Sequence, residues 1–208
     1  MDVHSPHEPI RSVGDFFLHL LTITIGLLIA LGLEGLVEAA HNRHLVHQAE
    51  ANLHAELNTN RSTLTKDNLW LTESAAEIAA NMQVLTALKN HQPPSGSLDF
   101  NWHWNGTQSS AWDTARDTGA VALMPYETVQ GYAIVYGQQA VVNQQALVYI
   151  HDLYRSGVSA QGRKISDLQP ADIDKMIANS QEALVDLDYL RSLCTSLDTI
   201  YKSAGNEL

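Results

Sequence analysis

The chain has 208 residues, 12 Lys and Arg against 23 Asp and Glu, a net charge of −11 and a pI near 5.2. That balance excludes nucleic acid as a partner, because phosphate binding needs a basic patch and no run of lysines or arginines exists. The single cysteine, Cys194, excludes an internal disulfide framework and CxxC metal or redox motifs.

In chain order, a short tail over residues 1–15, with Pro6 and Pro9, precedes the most informative run. Phe16 to Leu33 contains no Asp, Glu, Lys or Arg, and with Val37 it approaches the roughly 20 residues a helix needs to cross hydrocarbon. The reading is a transmembrane anchor over 16–37. A cleaved secretory signal is the competing reading, with Val37-Glu38-Ala39 as its small-residue site. Its flanks argue against it: a signal wants a positive n-region and an apolar core of roughly 7 to 15 residues, whereas here Arg11 stands against Asp2, Glu8 and Asp15. Charge is nearly balanced across the anchor by Arg11 and Arg43, so the positive-inside rule says little about orientation.

Residues 38–208 are expected to form one helical domain. No proline lies between Pro9 and Pro93, so the anchor is predicted to continue into a long helix covering about 40–90, with a kink near Gly32 and Gly35 or a break near Asn58 to Asn60 as alternatives. Leu57, Leu64, Leu71, Ile78 and Leu85 recur every seven residues, with Leu53, Ala75, Met82 and Leu88 beside them. Asn60, Asp67, Ser74 and Asn81 fall where a coiled coil wants its second apolar residue, which favours a bundle helix over a two-stranded zipper.

The stretch His91 to Ser109 is rich in Pro, Gly, Ser and Asn and reads as irregular. Ser110 and Asp113 resemble a capping box opening a short helix over 110–119. A third helix is expected over 125–156, with Tyr126, Val129, Ala133, Tyr136, Ala140, Asn143, Leu147, Ile150 and Tyr154 on its buried face. In that reading the tyrosines at 126, 136 and 154 belong to the core. A fourth helix over 170–203 carries Ile173, Met176, Ala183, Leu187, Leu190, Cys194, Leu197 and Tyr201 on one face. Alternating strand patterns are absent. The fold class is therefore all-α: a single N-terminal transmembrane helix continuing into a long helix, plus an antiparallel helical bundle with short connections.

Three groups of side chains are candidates for function. On the anchor, His19, Thr22, Gly26 and Ala30 share one face, suited to close helix–helix packing in lipid. Just beyond it, Glu34, Glu38, His41, His47, Glu50 and His54 form a ladder with His44. Within it Glu38 and His41 have the E-x-x-H spacing of carboxylate-bridged metal sites, which need a second copy from other helices. A solvated helix at a membrane interface has the same composition and is the preferred reading; no cofactor is expected. Trp102, Trp104 and Trp112 are candidates for docking a partner, with Trp112 more simply read as a cap on the core. Asn105-Gly106-Thr107 reads as a turn. Motifs for phosphate loops, nucleophile elbows and HExxH zinc sites are absent from the sequence.

The segment FFLHLLTITIGLLIALGLEGLVEAAHNR, followed by HAELNTNRSTL and SSAWDTARDTGAVALMPYETVQGYAIVYGQQ, resembles a group of uncharacterised bacterial single-pass membrane proteins. In these a GILIAL-type anchor precedes a helical region with a W-[DE]-x-[AT] turn before a tyrosine-containing helix. The resemblance implies an anchored helical protein of the bacterial inner membrane with its bundle on the periplasmic side, and carries over no catalytic residue. The expected function is a non-enzymatic interaction or scaffold protein, whose partners are the membrane and either itself as a homo-oligomer or a larger membrane complex. The alternative is an oligomeric pore, or metal binding at the juxtamembrane ladder for transport or redox chemistry.

Overall fold

The computed structural model describes residues 12–207, so the proline-bearing part of the tail lies outside the described residues. The described chain is all-α, without strands. It contains four helices, α1 (Val13–Lys89), α2 (Ser110–Asp117), α3 (Tyr126–Gly157) and α4 (Pro170–Glu207), with three short 3₁₀ turns in the connections. It falls into two compact units that meet between Gln48 and Ala49.

The first unit is the N-terminal stretch of α1. Its helix passes through Gly26, Gly32 and Gly35 without a break, since a glycine costs a helix only about 1 kcal/mol and no proline removes a backbone donor. Thr22 and Thr24 donate their hydroxyls to the carbonyls of Leu18 and Leu20 at 2.9 and 2.8 Å. The only polar hydrogens of these two side chains are thus satisfied within the helix.

The second unit is a bundle. The remainder of α1 also runs unbroken through Asn58 to Asn60. It buries two interleaved rows, Leu64, Leu71, Ile78 and Leu85 in one, and Asn60, Asp67, Ser74 and Asn81 in the other. On α4 the expected face is the observed one: Ile173, Met176, Ala183, Leu187, Leu190, Cys194, Leu197 and Tyr201 are all buried. The helix opens with Pro170 in its first turn, where the missing amide costs nothing.

Two expectations need correction. On α3 the buried row is Tyr132, Val135, Gln139, Val142, Ala146, Tyr149 and Leu153, rotated by about 100°, one residue, from the predicted stripe. Tyr126 and Tyr154 are 79% and 54% exposed, and of the predicted tyrosine row only Tyr136 is buried. The helix carries apolar residues on nearly every side, so periodicity alone does not choose the face; the choice follows from what Tyr149 and Gln139 meet across the bundle. Second, the bundle is not antiparallel throughout. Tyr136 meets Glu56, Gln139 meets Asn60 and Tyr149 meets Ser74, so α3 runs parallel to α1. By contrast, Lys89 pairs with Asp174 at 2.7 Å and Arg191 donates to the Leu71 carbonyl at 3.1 Å, so α4 runs antiparallel to both.

The parallel course of α1 and α3 requires a long return path. Residues 92–109 supply it as an extended strap, in place of the short connection expected. From Asn81 to Glu56 is about 37 Å along an α-helix, and from Asp99 to Ser110 about 36 Å in extended chain. The strap therefore does the work of a missing antiparallel helix with fewer than half the residues.

Candidate functional site

The polar row of α1 is what holds the strap. Asn60 donates through Nδ2 to the Gln108 carbonyl at 2.7 Å and accepts from the Gln108 amide at 2.9 Å. Asn81 makes the same paired contact with the carbonyl and amide of Asp99. Between them Asp67 accepts three hydrogen bonds, from the Asn105 amide at 3.0 Å, Asn105 Nδ2 at 2.8 Å and the Gly106 amide at 3.0 Å. On the facing helix Asn143 repeats the amide reading on Thr107, accepting from its N–H at 3.1 Å and donating to its carbonyl at 2.8 Å.

The register has a simple origin. Seven residues of α-helix advance about 10.5 Å, and three residues of extended chain advance about 10 Å. Asn60, Asp67 and Asn81 thus meet residues 108, 105 and 99 in step. The same register brings residue 102 level with Ser74, whose hydroxyl turns instead to the Tyr149 phenol. Backbone groups buried without a helix or sheet must find other partners, and here they are side-chain amides and a carboxylate. The tight turn at Gly106 has φ +70°, and a Cβ there would lie 3.1 Å from Asn143 Oδ1 and from Trp104 Nε1, so any side chain there is strained and glycine is favoured.

The end of the strap is seated by Glu56. Its carboxylate accepts from the Ser110 hydroxyl at 2.6 Å, the Ala111 amide at 2.9 Å and the Tyr136 phenol at 2.9 Å. This corrects the expected capping box: Ser109 is the N-cap, its hydroxyl donates to Asp113, and the free Ala111 amide of the first turn of α2 is served from α1. Burial and the bond to Glu56 push the Tyr136 phenol up. Trp112 stacks on Tyr136 with ring centroids 5.4 Å apart, which makes it a core cap.

The other candidates separate. Trp104 packs against the main core, whereas Trp102 is 52% exposed, so the three tryptophans form no common surface. His19, Thr22, Gly26 and Ala30 lie along one exposed face of α1, and a Cβ on Gly26 would meet nothing within 4 Å. Glu34, Glu38, His41, His47, Glu50 and His54 all project from α1. Among the described residues no group of three or more His, Cys, Asp or Glu side chains is placed to hold a metal ion. His54 instead lies edge-on to Tyr132, with centroids 6.3 Å apart.

Sequence reasoning missed Glu56, Asn143 and the structural use of Asn60, Asp67 and Asn81. The signal was present in the seven-residue spacing of the polar row.

Two further features complete the bundle. A half-open cavity of about 330 Å³ lies where strap residues Leu98 and Phe100 meet Tyr154, Val158 and Ile165. At its edge a Cβ on Gly157 would come within 2.6 Å of Phe100 Cγ. Between α3 and α4, Asp186 accepts from Gln145 at 3.2 Å and is pushed up by burial and by the neighbouring Asp152. Burial works to raise Asp152 as well, but its hydrogen bonds with Asp186 and His151, together with the charges of His151 and Arg155, outweigh that and leave it low.

Among the described residues one helix, α1, is long and apolar enough to cross a membrane, and none of its apolar stretch is buried within the chain. Comparison of the chain with protein-family models, curated proteins and solved structures finds no match.

Proposed function

We propose that this is a single-pass, membrane-anchored helical protein that acts by interaction, as a scaffold, homo-oligomer or accessory subunit, and catalyses no reaction. The observation that carries the reading is the unburied apolar stretch of α1. From Phe16 to Val37 every Leu, Ile, Phe and Val is about half or more exposed. Proteins in water rarely present so large a contiguous apolar surface, and lipid is the solvent that removes its cost. The back-bonded Thr22 and Thr24 hydroxyls suit the same surroundings.

An interaction role is favoured because several of the bundle's reactive side chains already have structural duties. Asp67 and Glu56 are committed to the strap and α2. Cys194 is buried, and burial with the nearby Asp67 pushes its thiol up to about 12, so it holds no thiolate at neutral pH. Placement in a bacterial inner membrane, with the bundle periplasmic, rests on the likeness of the GLLIAL run and the Trp112 turn to anchored bacterial proteins.

Fractionation of cells making the full chain tests the anchor. The protein is expected in membranes after alkaline carbonate washing with residues 16–37 intact. Recovery as a soluble form beginning near Ala40 overturns it. Labelling of an Ala76→Cys variant by an impermeant maleimide on intact spheroplasts places the bundle outside; labelling only after lysis reverses the orientation.

A further inference from the structure

The longest run in the chain without a charged side chain or a histidine is not the anchor. It is Thr128 to Ile150 on α3, 23 residues, against 18 without Asp, Glu, Lys or Arg from Phe16 to Leu33. One side of α3 is core, but the other faces outward, and an outward helix face ordinarily carries charge. Here Ile134, Val141, Leu147 and Val148 are 42 to 67% exposed. Between them Ala133, Gly137 and Ala140 make the middle of the face small and exposed, and a Cβ on Gly137 would meet nothing within 4 Å. The stripe that periodicity marks as core is in large part this outward face: α3 has two apolar faces and the bundle covers only one.

The geometry points to a second copy of this chain as the occupant, with α3 packing on α3 of its twin. Charge selects it. Each chain carries −11, so two copies repel wherever their charged surfaces meet. Within the bundle, the stretch Thr128 to Ile150 of α3 lets them approach without like-charge contact. The polar residues of the face, Gln130 and Gln144, are amides, which hold donor and acceptor together and so complement themselves across a two-fold axis. They also argue against lipid as the covering medium, where unpaired amides are costly.

Area fits a pair held in one membrane. The charge-free face from Thr128 to Ile150 is about 33 Å long and roughly 10 Å wide, about two fifths of the ~800 Å² per partner of free-standing complexes. Confinement to one bilayer raises effective concentration and makes such a contact sufficient. In this last respect the inference rests on the proposed anchoring.

The test uses the full chain in its native membranes, after the membrane fraction has been isolated, so that failure of anchoring is read first and separately. Cysteines are placed singly at Ala133, Gly137 and Ala140, with Ala76→Cys on α1 as control; buried Cys194 stays silent. Mild oxidation should give a product of twice the chain mass from at least one α3 position and none from the control. Ala140→Glu, exposed and helix-compatible, should reduce the dimer at least about tenfold. Ala140→Lys should do the same, and co-expression of the two should restore pairing. A cross-link to a protein of different mass, no product from any α3 position, or a dimer indifferent to Ala140→Glu overturns the proposal. Unchanged helicity and melting temperature of Ala140→Glu show that the fold is intact.

Discussion

Within the single helix α1, polarity and burial are inverted between its two stretches. From Phe16 to Val37 leucines and isoleucines are exposed, while from Asn60 to Asn81 two asparagines, a serine and an aspartate are almost fully buried. The difference lies in who supplies the surroundings. The polar row finds its partners in the same chain, because the strap brings backbone amides and carbonyls to it in step. The apolar stretch finds none among the described residues, and its complement has to come from outside. A buried polar residue is thus a sign of completeness, and an exposed apolar one a sign of a missing neighbour.

The sharpest way to break that comparison is Asp67→Leu. If the polar row were a set of poor coiled-coil positions, leucine would stabilise the bundle. Because Asp67 satisfies three donors at 1% exposure, its loss is expected to cost about 3–5 kcal/mol, seen in urea unfolding followed by far-ultraviolet circular dichroism. A neutral or stabilising result would mean that the strap is held by something other than α1.

Gly157→Ala tests the apolar end of the same strap. Its methyl would enter the space of the Phe100 ring, 2.6 Å from Cγ, and overpacking of this kind costs about 1–3 kcal/mol. The same denaturation experiment should show Phe100→Leu recovering part of the loss in the double variant. Full additivity would mean that the ring and the glycine do not meet.

The smallest effect sharpens the contrast between a satisfied and a frustrated polar group. Asp186 has its carboxyl pushed up by burial and by Asp152, so its contribution to stability is complete below the unfolded value of about 3.9. It is lost as pH rises through the raised folded value. Asp152, held low, contributes in the opposite sense: its share is present above about 3.9 and is lost as pH falls through its lowered value. Asp186→Asn keeps a hydrogen-bond donor beside Asp152 and removes the repulsion. At pH 7 its melting temperature should exceed that of the parent by roughly 1–3 °C after allowance for solvent screening, with the gap closing toward pH 4. A gap independent of pH would remove the carboxyl pair as its cause.

Much of this was legible in the one-dimensional pattern. The apolar run of α1, the absence of proline between Pro9 and Pro93, and the single clean stripe of α4 each determine an element without reference to the rest, because hydropathy and backbone chemistry act locally. That is why all-α, a long helix continuing from the apolar run to about residue 90 and the buried face from Ile173 to Tyr201 could be read directly, whereas its start at Val13, inside the expected tail, and its unbroken course through Gly32, Gly35 and Asn58 to Asn60 could not. The buried face of α3 could not. With apolar side chains on most of its circumference, the helix has no intrinsic preference, and only the meeting of Tyr149 with Ser74 and Tyr136 with Glu56 orients it. The parallel course of α1 and α3 and the role of Asn60, Asp67 and Asn81 were likewise decided in three dimensions. A seven-residue polar spacing acquires meaning only when an extended segment advancing three residues per step lies against it, and that match belongs to no local stretch of chain.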